Sequence, residues 1–239
     1  VLQQYLEDTR DLLNDGEGQF FREPRLISYI NKSRRRIAAA SGCLRSVPAG
    51  VMTVPNKEIY PVSAWNSLVQ GAMPGAESIL FVRSLAVSIG GRWQGDEIVG
   101  GAFKPMWRQI PWSDFQGRFR IYNKTFVGVV SDPGWFATLG EGPAQKLYLA
   151  PIPSLAAPME LDLTLIPAPL LTNSNPEPIP YPWTDAIPYW AATLCLLQQQ
   201  RAQDAQAMAA LYNTDLPFCA SVVKPVFLMS PYGATLRTA

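Results

Sequence analysis

The chain has 239 residues, a net charge of +1 and only 16% charged residues, against 48% hydrophobic ones. That balance excludes a disordered chain and a protein that holds nucleic acid by bulk positive charge, and a fold of this size needs neither a disulfide nor a metal to be stable. Histidine is absent altogether, which removes Ser-His-Asp and Cys-His nucleophile systems, His-ligated zinc and a His proton shuttle.

Leu2, Tyr5, Leu6, Thr9, Leu12 and Leu13 recur at helical spacing, with Glu7, Asp8 and Asp11 on the other side. They predict an amphipathic helix that ends in the turn-rich Asn14, Asp15, Gly16 and Gly18. A second helix is predicted from Pro24 to Ser41, with Leu26, Ile30, Ser33, Ile37 and Ala40 on one face and Gly42 as a left-handed stop. The short connection makes the pair an antiparallel hairpin over residues 1–46.

From 47 to 171 the helical period gives way to short β-branched and aromatic runs punctuated by Gly and Pro, which read as an inserted antiparallel β region. Ile79 to Ile89 is one strand, turned at Gly90 and Gly91 toward Arg92 and Trp93. Met159, Leu161, Leu163 and Leu165 alternate with Glu160, Asp162 and Thr164 in another. Lys146 to Ala150 is expected to be its antiparallel neighbour, linked through Pro151, Pro153 and Pro158.

Pro167, Pro169, Pro176, Pro178, Pro180 and Pro182 predict a stiff extended crossing. A single long helix should follow from Ala186 to Asn213, ~40 Å at 1.5 Å per residue, with Thr184 or Asp185 as N-cap and Pro188 in its first turn. Its buried stripe is expected to comprise Ile187, Trp190, Leu194, Leu197, Ala205, Met208 and either Leu211 or Tyr212. Beyond Pro217 the pattern is mixed, and residues 224–239 read as an extended tail. The expected fold class is α+β: a helical bundle formed by the N-terminal hairpin and the long C-terminal helix, in which the segment 172–223 returns to pack on the hairpin around the β insertion.

Cys43, Cys195 and Cys219 are odd in number and form no C-x-x-C pair, so they read as free thiols in a reducing compartment. Val1-Leu2-Gln3-Gln4 is no signal peptide, and the longest apolar stretch, Trp190 to Leu197, is far short of the ~20 residues that cross a membrane. The expectation is a soluble protein made in a cytoplasm. With so little charge, it is also expected to hide surface against other chains.

Tyr29-Ile30-Asn31 followed by Ser33-Arg34-Arg35-Arg36-Ile37-Ala38 resembles a motif of the head-to-tail adaptor proteins of short-tailed bacteriophages. Asp132-Pro133-Gly134-Trp135-Phe136 and Leu147-Tyr148-Leu149-Ala150-Pro151-Ile152-Pro153 are similar to that family's middle strands. Ala186-Ile187-Pro188-Tyr189-Trp190-Ala191-Ala192, then Gln200, Arg201, Asp204, Ala205, Met208, Leu211 and Tyr212, are similar to its long helix. The resemblance implies a structural, non-enzymatic virion protein without cofactor, made in the host cytoplasm and placed at the head–tail interface. It implies a ring, usually twelve-fold, beneath the portal, whose helices form the wall. Such a ring prolongs the DNA channel, passes the genome as non-specific cargo and carries nozzle or tail-fibre proteins. Its C-terminal segment reaches into portal clefts, and here Pro225, Phe227 and Tyr232 are the expected anchors, with Arg237 as an accessory charge.

Arg34, Arg35 and Arg36 lie about 100° apart in turn around a helix and so form no flat phosphate-binding patch. They leave three readings: a solvated face, ion pairs with Glu7, Asp8 or Asp11 within the hairpin or across subunits, and DNA contact. Glu7, Asp11, Arg34, Arg35 and Arg201 are the subunit-contact candidates. Two rivals come from other classes. Asp96 with Glu97, or Asp132 with Glu141, could supply the carboxylates of a wall-degrading glycosidase. Exposed Trp93, Trp107, Trp112 or Trp135 could serve a β-rich carbohydrate-binding module.

Overall fold

The computed structural model describes residues 1–89, 92–93, 98–99, 102–103, 107–120, 127–128, 134–223, 228–229 and 235–236. In chain order its elements begin with α1 (Leu2–Leu13), α2 (Glu23–Ser41), β1 (Arg45–Ser46), β2 (Ala49–Met52), β3 (Ile59–Pro61) and α3 (Asn66–Ala72). Next come β4 (Ala76–Ile89), β5 (Arg92–Trp93), β6 (Ile98–Val99), β7 (Ala102–Phe103), β8 (Arg108–Gln109), α4 (Trp112–Phe115) and β9 (Val127–Gly128). The rest are β10 (Trp135–Leu139), β11 (Lys146–Ala150), β12 (Ile152–Pro153), β13 (Pro158–Pro167), α5 (Ile187–Gln198), α6 (Ala202–Val223), β14 (Leu228–Met229) and β15 (Thr235–Leu236). The fold is mixed α+β. It divides into a helical unit, Val1–Cys43 with Leu170–Ala239, and a β unit, Leu44–Pro169.

In the helical unit Leu2, Tyr5, Leu6 and Leu13 of α1 bury with Leu26, Ile30 and Ile37 of α2 and Ile187, Ala191, Ala192, Cys195 and Leu196 of α5. Asn14 takes a left-handed conformation at the end of α1, and the Asp15 N–H reaches back to the Arg10 carbonyl at 3.0 Å. The buried Asp15 carboxylate then accepts the N–H groups of Phe20 (3.1 Å) and Phe21 (3.0 Å), which fixes the loop into α2. Pro24 stands in the first turn of α2 and Gly42, at φ 62, stops it. α1 packs more extensively on α5 than on α2.

The long helix differs from its expectation in four ways. It breaks at residues 199–201, because Gln200 turns left-handed at φ 61. The Gln200 N–H bonds the Leu197 carbonyl (3.1 Å) and the Arg201 N–H the Leu196 carbonyl (3.0 Å), a Schellman closure with Gln where Gly is commonest. α6 then runs through Pro217 to Val223 instead of ending near Asn213. Pro217 removes the N–H that would bond the Asn213 carbonyl, and both residues are exposed. At the entry a 3-10 turn, Trp183–Ala186, replaces the expected side-chain cap by Thr184 or Asp185. The buried stripe keeps Ile187, Ala205 and Tyr212, the second of the two alternatives, but shifts between them: Ala191, Ala192, Cys195 and Leu196 face inward, whereas Leu197 is exposed. Segment 187–197 is apolar on nearly every side, so its sequence carries no phase to choose a face.

In the β unit β13 is central. It pairs antiparallel with β4 from Met159↔Val87 to Pro167↔Ala76 on one edge, and with β1 and β2 on the other. Both edges being taken, β11 is not its neighbour. β11 pairs antiparallel with β10, from Trp135↔Ala150 to Leu139↔Lys146, and with β3 in a second sheet that β8 joins in parallel. β4 and β5 pair antiparallel across the predicted turn, whose Gly90 and Gly91 lie outside the described residues. In this unit Trp112, Phe115, Phe119 and Tyr148 pack ring against ring over β10 and β11.

Candidate functional site

The residues of α2 that stand out in the sequence leave the helix in different directions, as 100° per residue requires. Arg34 points inward and is only 1% exposed. Its Nε donates to Glu177 Oε2 (2.8 Å) and its Nη2 to Glu177 Oε1 (2.9 Å), a two-point charge pair. Arg34 Nη1 also donates to Asn31 Oδ1 at 3.0 Å. Asn31 in turn brackets the backbone of Leu170, accepting its N–H (2.8 Å) and donating Nδ2–H to its carbonyl (2.9 Å). Asn31 and Arg34, one helical turn apart, therefore clamp the proline-rich segment onto α2 at both Leu170 and Glu177.

This corrects the readings for Arg34. It is no solvated residue, and its acid is Glu177 rather than Glu7, Asp8 or Asp11. The inward arc of α2 runs through Ile30, Ser33, Arg34 and Ile37, which places Arg34 in the core. The sequence did contain a signal for Glu177. Between Pro167 and Pro182 it is the single charged residue, flanked by Pro176 and Pro178. Beside it, burial pushes the Tyr5 phenol well above its ordinary value, and the Glu177 charge adds to the rise.

Ser33 donates its hydroxyl to the Ile187 carbonyl at 2.8 Å, satisfying a backbone group at the start of α5. Arg36 lays its guanidinium 3.7 Å from the centroid of Trp190, which packs on Tyr212 at 5.1 Å. Tyr29 Oη donates to Gln198 Oε1 at 2.8 Å. Three residues of α2 thus hold α5 and, through Tyr212, α6. Arg35 is exposed.

Of the remaining contact candidates, Glu7 and Asp11 are exposed on α1, where Glu7 accepts Gln3 Nε2 at 2.9 Å. Arg201 Nε donates to Asp204 Oδ2 (2.7 Å), a pair inside the first turn of α6. The structure brings none of these three to Arg34. Pro225, Phe227, Tyr232 and Arg237 lie outside the described residues. So do Asp96, Glu97 and Asp132 of the carboxylate pairs, while Glu141 is exposed in a turn. Trp107 is buried, not exposed, and Trp112 and Trp135 are half-buried against Tyr148 (4.4 Å) and Phe119 (5.3 Å). The side chain of Trp93 is outside the described set.

The described residues hold no group of three or more His, Cys, Asp or Glu able to bind a metal ion, and no described helix is long and apolar enough to cross a membrane. Burial pushes all three thiols up, Cys195 to about 12. What this arrangement supplies is a locked helical scaffold that presents charge on its outer faces. No protein-family model matches the chain, and no curated protein matches it in sequence.

Proposed function

We propose that the chain is the head-to-tail adaptor of a short-tailed bacteriophage, a structural protein without catalytic activity or cofactor. In this reading α1, α2, α5 and α6 form a helical bundle that serves as the ring wall, and the β unit is an insertion within it. Copies assemble, twelve to a ring, beneath the portal. The ring prolongs the DNA channel, passes the genome as non-specific cargo and carries nozzle or tail-fibre proteins. The protein is made in the host cytoplasm and resides at the head–tail interface of the virion, with no membrane partner. Phe227 and Tyr232, with Pro225 and Arg237, anchor the tail in portal clefts.

One observation carries this reading. Two of the adaptor-like segments, the α2 motif and the long-helix motif, roughly 150 residues apart in the chain, meet in one unit through the side chains of α2. Ser33 reaches Ile187, Arg36 stacks on Trp190, and Tyr29 reaches Gln198. Short motifs are weak singly, but a resemblance whose separate parts interlock describes one working surface. The test is to mix purified protein with portal-bearing, DNA-filled heads and follow co-sedimentation and particle mass. Several copies bound per portal, with the genome retained, is the expected result. Heads that bind no protein and lose DNA at an unchanged rate would overturn the reading.

A further inference from the structure

The exposed faces of α1 and α2 differ in sign. Glu7, Asp8 and Asp11 are all exposed, and their three- and four-residue spacing puts them on one face of α1. Asp185, exposed in the turn before α5, adds to the same field. The Asp8 carboxyl is pushed up by burial and then by its acidic neighbours Asp11, Glu7 and Asp185. On the N-terminal half of α2 the opposite sign rules. Arg22 at the cap, Arg25 and Lys32 are exposed on one face and span ~15 Å at 1.5 Å per residue.

Among the described residues, neither Glu7, Asp8 and Asp11 nor Arg22, Arg25 and Lys32 form an ion pair. An ion pair between the two helices joins Arg10 to Glu23 at 3.9 Å and leaves both faces open. Like charges at such spacing repel along a helix. Contact with the other sign would relieve each face, and each chain carries one of both.

We propose that the acidic face of α1 in one copy docks on the basic stripe of α2 in the next copy. In a ring each copy offers its two faces to different neighbours, so the contact is head-to-tail and propagates beyond a dimer until it closes, whereas a two-fold dimer would pair both faces with a single partner. It supplies the subunit contact of the adaptor ring and rests on that reading for the ring's place in the virion. Opposed faces of this kind set register and encounter rate, and the contact weakens as salt shortens the Debye length from ~10 Å at about 0.1 M to ~3 Å at about 1 M.

The experiment uses the full chain alone, without portal or heads, so its failure and that of the adaptor reading are separable. Mass photometry and sedimentation velocity compare the wild type with two charge reversals, Asp8→Lys with Asp11→Lys, and Arg25→Glu with Lys32→Glu. All four positions are exposed, and circular dichroism checks that each variant is folded. Wild type should form species larger than a dimer at low salt and lose them at high salt. Each reversal should weaken association ~10-fold or more. An equimolar mixture of the two reversals should restore it, because each mutated face then finds its complement. Wild type that stays monomeric at low salt, reversals that assemble as wild type does, or a mixture with no recovery would each overturn the proposal. Monomers that bind duplex DNA through Arg25 and Lys32 would overturn it too, in favour of phosphate recognition by the stripe.

Discussion

Replacing Glu177 by Gln should unseat the proline-rich segment from α2 and destabilise the helical unit well beyond what a surface ion pair contributes. Arg34 is 1% exposed and the Glu177 side chain 7%. The substitution thus strands a guanidinium in the core with a neutral partner. Removing one side of a buried pair costs about 3–5 kcal/mol, against about 0–1 kcal/mol for an exposed pair. A unit of ordinary stability, about 5–15 kcal/mol, would lose a fifth or more. With a denaturant slope near ~2 kcal/mol/M in urea, the midpoint should fall by ~1.5–2.5 M. Cys43, Cys195 and Cys219 all lie in the helical unit, so pulsed thiol labelling along a urea series reports that unit alone. Arg34→Met combined with Glu177→Leu should recover most of the loss, since an apolar pair strands no charge. A cost below ~1 kcal/mol for Glu177→Gln would refute the clamp, because the pair would then behave as if solvated.

Gly134→Ala should destabilise the β unit by ~1–3 kcal/mol, as overpacking does. A Cβ there would lie 2.5 to 2.8 Å from the ring of buried Trp107; tryptophan fluorescence during melting reads the effect, and thiol labelling should stay unchanged. The native thiols should react slowly with a disulfide reagent near neutral pH. Because the folded state holds the Cys195 proton up to about 12, whereas an unfolded thiol releases it near ~8.5, stability should be full below ~8.5 and fall as pH rises from there toward 12; pH-dependent urea midpoints between those values check the sign. Truncation before Lys224 should leave a folded, soluble protein that no longer co-sediments with portal, and unchanged portal binding would refute the tail anchor.

Where the sequence carried a phase, the fold was legible. α1 alternates apolar and acidic residues, and its predicted buried side, Leu2, Tyr5, Leu6 and Thr9, is the buried side. Gly42 stops α2 at a positive φ, as glycine near a helix end suggests. α5 offered no such phase, and the break after it had no glycine to announce it, because Gln200 adopts the left-handed turn itself. The partner of β11 was misjudged because adjacency in sequence favoured β13, while edges already filled by β1, β2 and β4 were invisible in the chain. At the candidate site, the helical angle told that three successive arginines diverge. It did not tell which one turns inward, since that depends on Ile30 and Ile37 facing α5 rather than water.

The division of the helical unit between two distant stretches of chain sets a schedule for its birth. When α1 and α2 leave the ribosome their apolar sides have no α5 to meet, and α5 lies roughly 150 residues further on. At ~5–20 residues per second that delay is ~7–30 s. The β unit, whose strands all fall between Leu44 and Pro169, can close during the wait. By folding first, it would draw its own two ends together and deliver the proline-rich segment to a helix pair already made. Until Glu177 arrives, Arg34 lacks its acidic partner and keeps Asn31, one turn back on the same helix, beside it. The nascent chain thus carries on its surface a charge that the finished protein seals inside, 1% exposed.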